Sequence, residues 1–460
     1  MSRLVVVSNR VALPSSQRGH AQGGLATGLL EALKSAGGLW FGWNGRIADT
    51  GEAPPQLHQD GAVSFATVPL TRREHDEYYA GFANRCLWPL CHSRLNLLHF
   101  KRRDYQTYLQ TNARFARQLL PLLGEASRVW VHDYHLLPLA AQLRESGVKS
   151  RLGFFLHVPF PGVDALRALP PHVELVHALL AYDLLGFQTE FDCNAFLDAV
   201  RLCVPEARVE RRAVQYRGRR VAAGHFPIGI DIDEVAQMAA RGRRSLHGRR
   251  LHASLTGRQL IIGVDRLDYS KGLPGRFRAY GQLLEHWPKF RRQVVLFQIA
   301  PLSRTEVPEY DSIRRELNAI VGDIHGRYAE YDWLPLRYMT RGFPRRTIMG
   351  FLSLARVGLV TPLRDGMNLV AKEFVAAQPA DDPGVLVLSS LAGAAQELQD
   401  ALIVNPYDME QTAESLARAL NMPLEERRER WSGMMRVLRA NDIHRWTQSF
   451  LRALAGKTDA

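Results

Sequence analysis

What the chain lacks narrows the reading first. Its 460 residues contain no apolar run near the roughly 18 needed to span a bilayer, so a membrane partner is not expected. The first apolar run, Leu4–Val7, gives way at once to Ser8, Asn9 and Arg10, too brief for the core of a secretory signal. Its 4 cysteines, Cys86, Cys91, Cys193 and Cys203, show no CxxC spacing, which argues against a disulfide framework and for free thiols in a reducing cytoplasm. No His/Cys cluster has metal-ligand spacing, so no metal is expected. No GxGxxG follows the first apolar run, which removes the nicotinamide fingerprint. No Ser/Pro-rich linker divides the chain.

Acidic residues are in deficit, 46 against 59 basic, for a net charge of +13. The excess concentrates between Arg208 and Arg258, through Arg211, Arg212, Arg217, Arg219, Arg220, Arg241, Arg243, Arg244, Arg249 and Arg250. That stretch has few aromatics to stack bases and no nucleic-acid motif, so it reads as solvated loops and helix faces, with no nucleic-acid partner expected. The surplus still favours small anionic substrates. At 46% hydrophobic and 23% charged, the composition is that of a globular chain of two or three domains.

What is present is a repeated strand–helix alternation. Leu4–Ser8, Arg128–His132, Arg151–His157 and Leu184–Phe187 read as strands, with helices over Gly24–Ser35, His135–Glu145, Pro171–Leu180 and Glu190–Val204. The pattern restarts with strands Gln259–Val264, Val294–Ala300, Val357–Val360, Val385–Leu388 and Leu402–Val404. Helices follow over Pro274–His286, Val307–Val321, Asn368–Gln378, Met409–Leu420 and Leu424–Leu454. Short βα connections imply parallel sheets. The expectation is two doubly wound α/β domains facing a cleft, residues 1–232 and 233–440, with 441–460 a terminal helix crossing back to the first. Ligands in such sheets sit at the carboxyl ends of strands.

The most informative stretch is Thr361–Glu373. A short strand, a turn with Gly366 at its centre and a helix start place free amides and a positive dipole end together, a site for phosphate. Asp365 and Glu373 suit hydroxyls instead, and phosphate with hydroxyls points to a nucleotide sugar. Arg266 and Lys271 flank a turn after another strand, where two cations neutralise a diphosphate. Gly23-Gly24 forms a second amide nest beside Arg10. Asp133 and His157 end neighbouring strands, where carboxylate and imidazole bind hydroxyls and shuttle protons. Tyr79 and Trp88 offer aromatic faces to a sugar. Asp231 and Asp233 spell DxD, but Asp233 reads as a helix N-cap rather than a metal ligand.

Taken together, the opening Ser2–Arg10, Trp40–Trp43, Trp130–His135, Gly153–Pro161, Arg266–Gly272 and the segment from Thr361 resemble the trehalose-6-phosphate synthase family. These are retaining glycosyltransferases with two Rossmann-like domains, the GT-B type. The likeness runs from Ser2 to about Leu454. It implies transfer of glucose from UDP-glucose to glucose 6-phosphate, with no cofactor and no metal. By that resemblance Arg10, Tyr79, Trp88, Asp133 and Arg304 hold the acceptor, Arg10 and Arg304 gripping its phosphate. His157 and Asp365 bind the donor glucose, with backbone from Met367 and Asn368. Gly24, Leu369 and Val370 with Arg266 and Lys271 hold the diphosphate, Glu373 the ribose, and the neighbourhood of Phe343 and Ile348 the base. The catalytic set is then Asp133, His157, Arg266, Lys271 and Asp365. It also implies front-face transfer, in which the leaving phosphate oxygen takes the acceptor's proton, and a homo-oligomer, dimer or tetramer. Asp265 departs from the Glu more usual there, and the Gly342–Arg346 loop is individual, which keeps ADP- or GDP-glucose open as donors. The alternatives are a transferase using another phosphorylated acceptor, such as glycerol 3-phosphate, and a non-catalytic sugar-phosphate sensor. No aspartate-rich phosphatase motif is present, so a fused phosphatase domain is not expected.

Overall fold

The computed structural model describes residues 3–11, 13, 29–30, 33–34, 37–302 and 308–457. These divide into two compact units. One comprises the described residues up to Pro227 and from His444 onward; the other is Ile228–Ile443.

The first unit carries strands β1 (Leu4–Arg10), β2 (Gly38–Ala48), β3 (Gln56–Asp60), β4 (Val63–Thr71), β5 (Arg128–His132), β6 (Arg151–Phe155), β7 (Leu184–Phe187), β8 (Arg208–Glu210), β9 (Ala213–Tyr216) and β10 (Arg219–His225). They form one sheet in the order β3-β4-β2-β1-β5-β6-β7-β10-β9-β8. Everything from β4 to β10 is parallel; β3 and the β8–β9 pair flank it antiparallel. Val5, Val6 and Val7 are fully buried, as an unbroken apolar run must be when both sheet faces are covered.

The second unit has strands β11 (Gln259–Val264), β12 (Val294–Ile299), β13 (Leu336–Met339), β14 (Val357–Val360), β15 (Val385–Ser389) and β16 (Leu402–Val404). All pair in parallel, in the order β13-β12-β11-β14-β15-β16. Counted along the chain, this is the 3-2-1-4-5-6 order of dinucleotide-binding sheets, and β4-β2-β1-β5-β6-β7 repeats it in the first unit. The order reverses between β1 and β5 and again between β11 and β14. A crevice opens beyond the strand ends at such a point, because the following connections leave for opposite faces.

The structure departs from the sequence reading in several places, β13 and the helix Arg345–Leu352 among the elements it did not anticipate. The expected helix Leu424–Leu454 is two, Leu424–Ala440 and Ile443–Leu454, broken at Asn441, whose φ of −128° and ψ of 55° are not helical. From His444 the second of these belongs to the first unit. Its Phe450 stacks on Trp130 with ring centroids 4.6 Å apart, and a Cβ on Gly186 would sit 2.7 Å from that ring. Residues 38–122, left without elements by the sequence reading, contain three strands, a wide i→i+5 helix over Glu74–Leu87 and the helix Arg102–Leu119. The basic stretch forms β8–β10 and the helices Ile232–Arg243 and Leu246–Leu255, with Arg208, Arg212 and Arg219 paired to Glu210, Glu190 and Asp183. Asp231, not Asp233, caps the first of those helices, accepting the Glu234 amide at 2.8 Å. The expected helix Gly24–Ser35 lies mostly outside the described residues; Leu29 and Leu33 within it are buried.

Candidate active site

In the second unit the loops after β11 and β14 meet at the switch point. The Leu363 amide donates to Ser270 O at 2.7 Å. A Cβ on Gly272, whose φ is +67°, would lie 2.3 Å from Thr361 O, so only glycine fits this approach. Lys271 Nζ reaches Asp365 Oδ2 at 2.5 Å, and Asn368 Nδ2 donates to the same oxygen at 3.0 Å. Asn368, at φ 76°, caps the helix Leu369–Ala377 by accepting the Ala371 amide at 3.2 Å. The Leu369 and Val370 amides, ahead of that bond, have no protein acceptor among the described residues. The expected phosphate cradle is therefore an open helix N-terminus beside an ammonium group. Arg266 stands exposed on the loop after β11.

Sequence reasoning missed what holds this geometry. Arg276, 1% exposed, donates to Asp265 at 2.5 Å, Gln298 at 2.8 Å, Thr361 at 2.9 Å and Lys271 O at 3.4 Å. One guanidinium thus ties together the ends of β11, β12 and β14. Burial pushes the Asp265 carboxyl up and the Arg276 charge opposes it. Asp268 fixes the intervening turn, accepting from Ser270 N and Tyr310 Oη at 2.9 Å each. A charged residue at an interior position of the helix Leu273–His286 was the available signal.

Glu373 lies in the same helix as the open amides, 8% exposed. Arg345 donates to its Oε1 from Nη2 at 3.1 Å and Nε at 3.3 Å. Phe343 and Ile348, expected at the base, are buried in that unit, with the Arg341 guanidinium 4.8 Å over the Phe343 ring.

The switch point of the first unit has a different chemistry. Arg10 ends β1 and lies 5.7 Å over the Trp43 ring. Trp43 packs on Tyr79 at 5.3 Å, and Tyr79 stacks on His135 at 5.9 Å. Trp88 packs on Tyr134 at 5.8 Å. Tyr79 and Trp88 are nine residues apart. With i→i+5 closure giving roughly 4.4 residues per turn, that is about two turns, which lets both rings pack on the Tyr134–His135 turn. Asp133 follows β5 at φ 76° and ψ 166°, a region other residues than glycine rarely enter. It accepts the His157 amide at 3.3 Å.

His157 Nε2 lies 3.0 Å from His132 Nδ1, and Gln188 Nε2 lies 3.4 Å from His157 Nδ1. An amide donating to Nδ1 leaves Nε2 as the N–H that donates to His132. Burial pushes the His157 imidazole down to about 3 and His132 well below its ordinary value. Both rings are neutral at physiological pH, so His157 serves as a hydrogen-bonding group and makes a poor proton acceptor there. Neither His132 nor Gln188 was singled out in the sequence. Gly24 and Arg304 lie outside the described residues. Among the described residues no group of three or more His, Cys, Asp or Glu is placed to hold a metal, and no helix is long and apolar enough to cross a membrane.

Two doubly wound sheets with the same order of parallel strands, an open helix N-terminus beside a lysine at the second switch point and an aromatic cluster at the first fit a glycosyltransferase of the GT-B class. The chain belongs to glycosyltransferase family 20, which matches residues 2–456. It is 50% identical to the trehalose-6-phosphate synthase of Klebsiella pneumoniae, across 99% of this chain and 95% of that one. A crystal structure of a UDP-forming α,α-trehalose-phosphate synthase from Burkholderia xenovorans in complex with glucose-6-phosphate superposes with a TM-score of 0.94 at 49% identity, covering 99% of this chain and 100% of that one. A structure from E. coli bound with UDP-2-fluoro glucose does so with a TM-score of 0.93 at 47% identity, covering 100% of each.

Proposed function

We propose that the protein is a retaining glucosyltransferase that moves glucose from UDP-glucose to glucose 6-phosphate, releasing UDP and α,α-trehalose 6-phosphate. The observation that carries this reading is the meeting of Lys271, Asp365 and the open Leu369 and Val370 amides at one switch point. The likeness to proteins bound to glucose-6-phosphate and to UDP-2-fluoro glucose supports it. Arg266, Lys271 and the two amides, with Gly24, take the diphosphate, and Glu373 takes the ribose, whose base meets the Phe343–Ile348 segment. Asp365 and His157 take the donor glucose with the Met367 and Asn368 backbone. Arg10, Tyr79, Trp88, Asp133 and Arg304 take the acceptor.

The bond that breaks joins the glucose anomeric carbon to the UDP oxygen; the one that forms joins that carbon to the acceptor's anomeric hydroxyl oxygen. Charge builds on the departing phosphate, where fixed cations and amide dipoles stabilise it without reorganising. The acceptor's proton passes to the leaving phosphate oxygen on the same face. A neutral His157 fits this route, because no imidazole base is required. Donor hydroxyls that compete for the Asp365 carboxylate release the Lys271 ammonium to the diphosphate. The reaction is metal-independent in this reading. The 4 free, buried cysteines suit a reducing cytoplasm.

A coupled UDP-release assay tests the whole. UDP-, ADP- and GDP-glucose are crossed with glucose 6-phosphate and glycerol 3-phosphate, with and without EDTA. UDP-glucose with glucose 6-phosphate should dominate, and EDTA should leave the rate unchanged. Turnover abolished by EDTA and restored by manganese would overturn the charge argument; no turnover with any pair would point to a sensor.

A further inference from the structure

The ribose-side carboxylate is held asymmetrically. Both Arg345 contacts, from Nε at 3.3 Å and Nη2 at 3.1 Å, fall on Glu373 Oε1. Oε2 receives no protein donor among the described residues. The remaining arm of the guanidinium, Nη1, bonds Glu234 Oε2 at 2.8 Å. The three groups come from three helices, Ile232–Arg243, Arg345–Leu352 and Leu369–Ala377. Arg345 opens its helix directly after Phe343 and Pro344, so one rigid fork joins the base-side segment to the ribose-side acid.

Arg345 is the cation that opposes protonation of Glu373, whose carboxyl still stays above its ordinary value because of burial. Burial and the Glu234 carboxylate both push its carboxyl up, and the Arg345 charge and hydrogen bonds oppose them. Lys372, the neighbour on the same helix, spends its ammonium on Ile228 O at 2.8 Å and Glu397 at 2.5 Å. An ionised carboxylate oxygen bonds a hydroxyl about twice as strongly as a neutral acceptor does.

We propose that Arg345 is a positioning residue for the donor: it pins Glu373 through Oε1 so that Oε2 stays an open, charged acceptor for a ribose hydroxyl, which sets a preference for ribonucleotide over deoxyribonucleotide donors. This rests on Glu373 being the ribose ligand.

The test compares UDP-glucose with its 2′-deoxy and 3′-deoxy analogues in the wild type and in Arg345→Met, Arg345→Lys, Glu373→Gln and the Arg345→Met/Glu373→Gln double variant. The wild type should prefer the ribose donor in kcat/KM by about tenfold or more over at least one analogue, the worth of one charge-assisted bond. Arg345→Met should shrink that preference to within about threefold, mostly through donor KM, with Arg345→Lys intermediate because it keeps the charge and loses the fork. In Arg345→Met the donor KM should also begin to climb at a higher pH than in the wild type as pH falls, because the cation that opposes burial is gone. The double variant should be no worse than Glu373→Gln alone. If Glu373→Gln keeps the full ribose preference, the ribose assignment fails and the proposal with it. If Glu373→Gln loses the preference while both Arg345 variants keep it with the wild-type pH profile, the proposal alone is overturned. Should Arg345→Met not fold, Arg345→Lys and its pH profile carry the same decision.

Discussion

The two units share a strand order and part ways in what they mount on it. Each reverses direction between its first and fourth parallel strands, and each has a polar residue at φ 76° after that fourth strand, Asp133 after β5 and Asn368 after β14. Beyond this the chemistry diverges. The second switch point is charged and braced by ion pairs, Arg276 with Asp265 buried and Lys271 with Asp365 half-buried. The first is aromatic around a pair of neutral imidazoles, with Arg10 at its rim. The topology supplies a crevice in both cases; the side chains at the strand ends decide what chemistry it offers a ligand.

The sharpest way to break that contrast is to remove the brace. Arg276→Met leaves Asp265 buried and unpaired, and should cost about 3–5 kcal/mol of stability. Thermal and denaturant unfolding would show it, with part of the loss recovered by adding Asp265→Asn. A loss under about 1 kcal/mol would mean the ion pair does not hold the β11–β14 junction. Next in size is the cradle. Arg266→Ala and Lys271→Ala should each lower kcat about 10²–10³-fold in UDP release, the worth of one preorganised donor to a leaving oxyanion. A near-normal kcat would return the departing charge to the helix amides alone.

The neutral imidazoles of the first unit make an opposite kind of prediction. His157 folds with its pKa lowered to about 3 and His132 with its own well below normal. Unfolded, both titrate near 6.5. Above that pH neither affects stability. As pH falls from about 6.5 towards 3, the unfolded chain binds protons the native state refuses. Stability then drops by up to ~1.4 kcal/mol per pH unit for each histidine. His132→Phe removes one of these and should flatten the Tm–pH curve over that range; parallel curves would show that the pair does not carry a proton when unfolding.

Why the second unit was the more legible one follows from the same contrast. Val357–Val360 and the helix after Asn368 were readable because an apolar run, a glycine turn and a capping residue each leave a local mark. β2, Gly38–Ala48, is buried along its first six residues and so offers no alternation, while its glycines and tryptophans disguise the apolar run; Glu74–Leu87 winds with a period that a 3.6-residue search cannot see. The break at Asn441 has no proline or glycine to announce it; the chain simply leaves one unit for the other there. Asp133, His157, Lys271 and Asp365 were singled out because each follows a strand end, where ligands of such sheets sit. Arg276, Arg345 and His132 were not, since their side-chain partners lie 11 to 111 positions away along the chain and only the fold brings them together.

The smallest expected effect tests whether the two φ 76° residues are there for the fold or for the site. Each occupies backbone that glycine enters without strain, at a cost of order 1–3 kcal/mol for other residues. Asp133→Gly relieves that strain and gives up the His157 amide bond, worth about 1 kcal/mol. Asn368→Gly relieves it and gives up a helix cap, which glycine replaces at a loss of a few tenths of a kcal/mol. Both variants should therefore stay within about 1 kcal/mol of the parent in unfolding, with Asp133→Gly the more stable of the two because its ψ of 166° is the more strained. UDP release should nonetheless fall in both, since a carboxylate expected at the acceptor is lost in one and the amide that holds Asp365 in the other. If either lost more than about 2 kcal/mol, that side chain would belong to the architecture; if both kept full activity, the matched conformations would be a by-product of the shared strand order and nothing more.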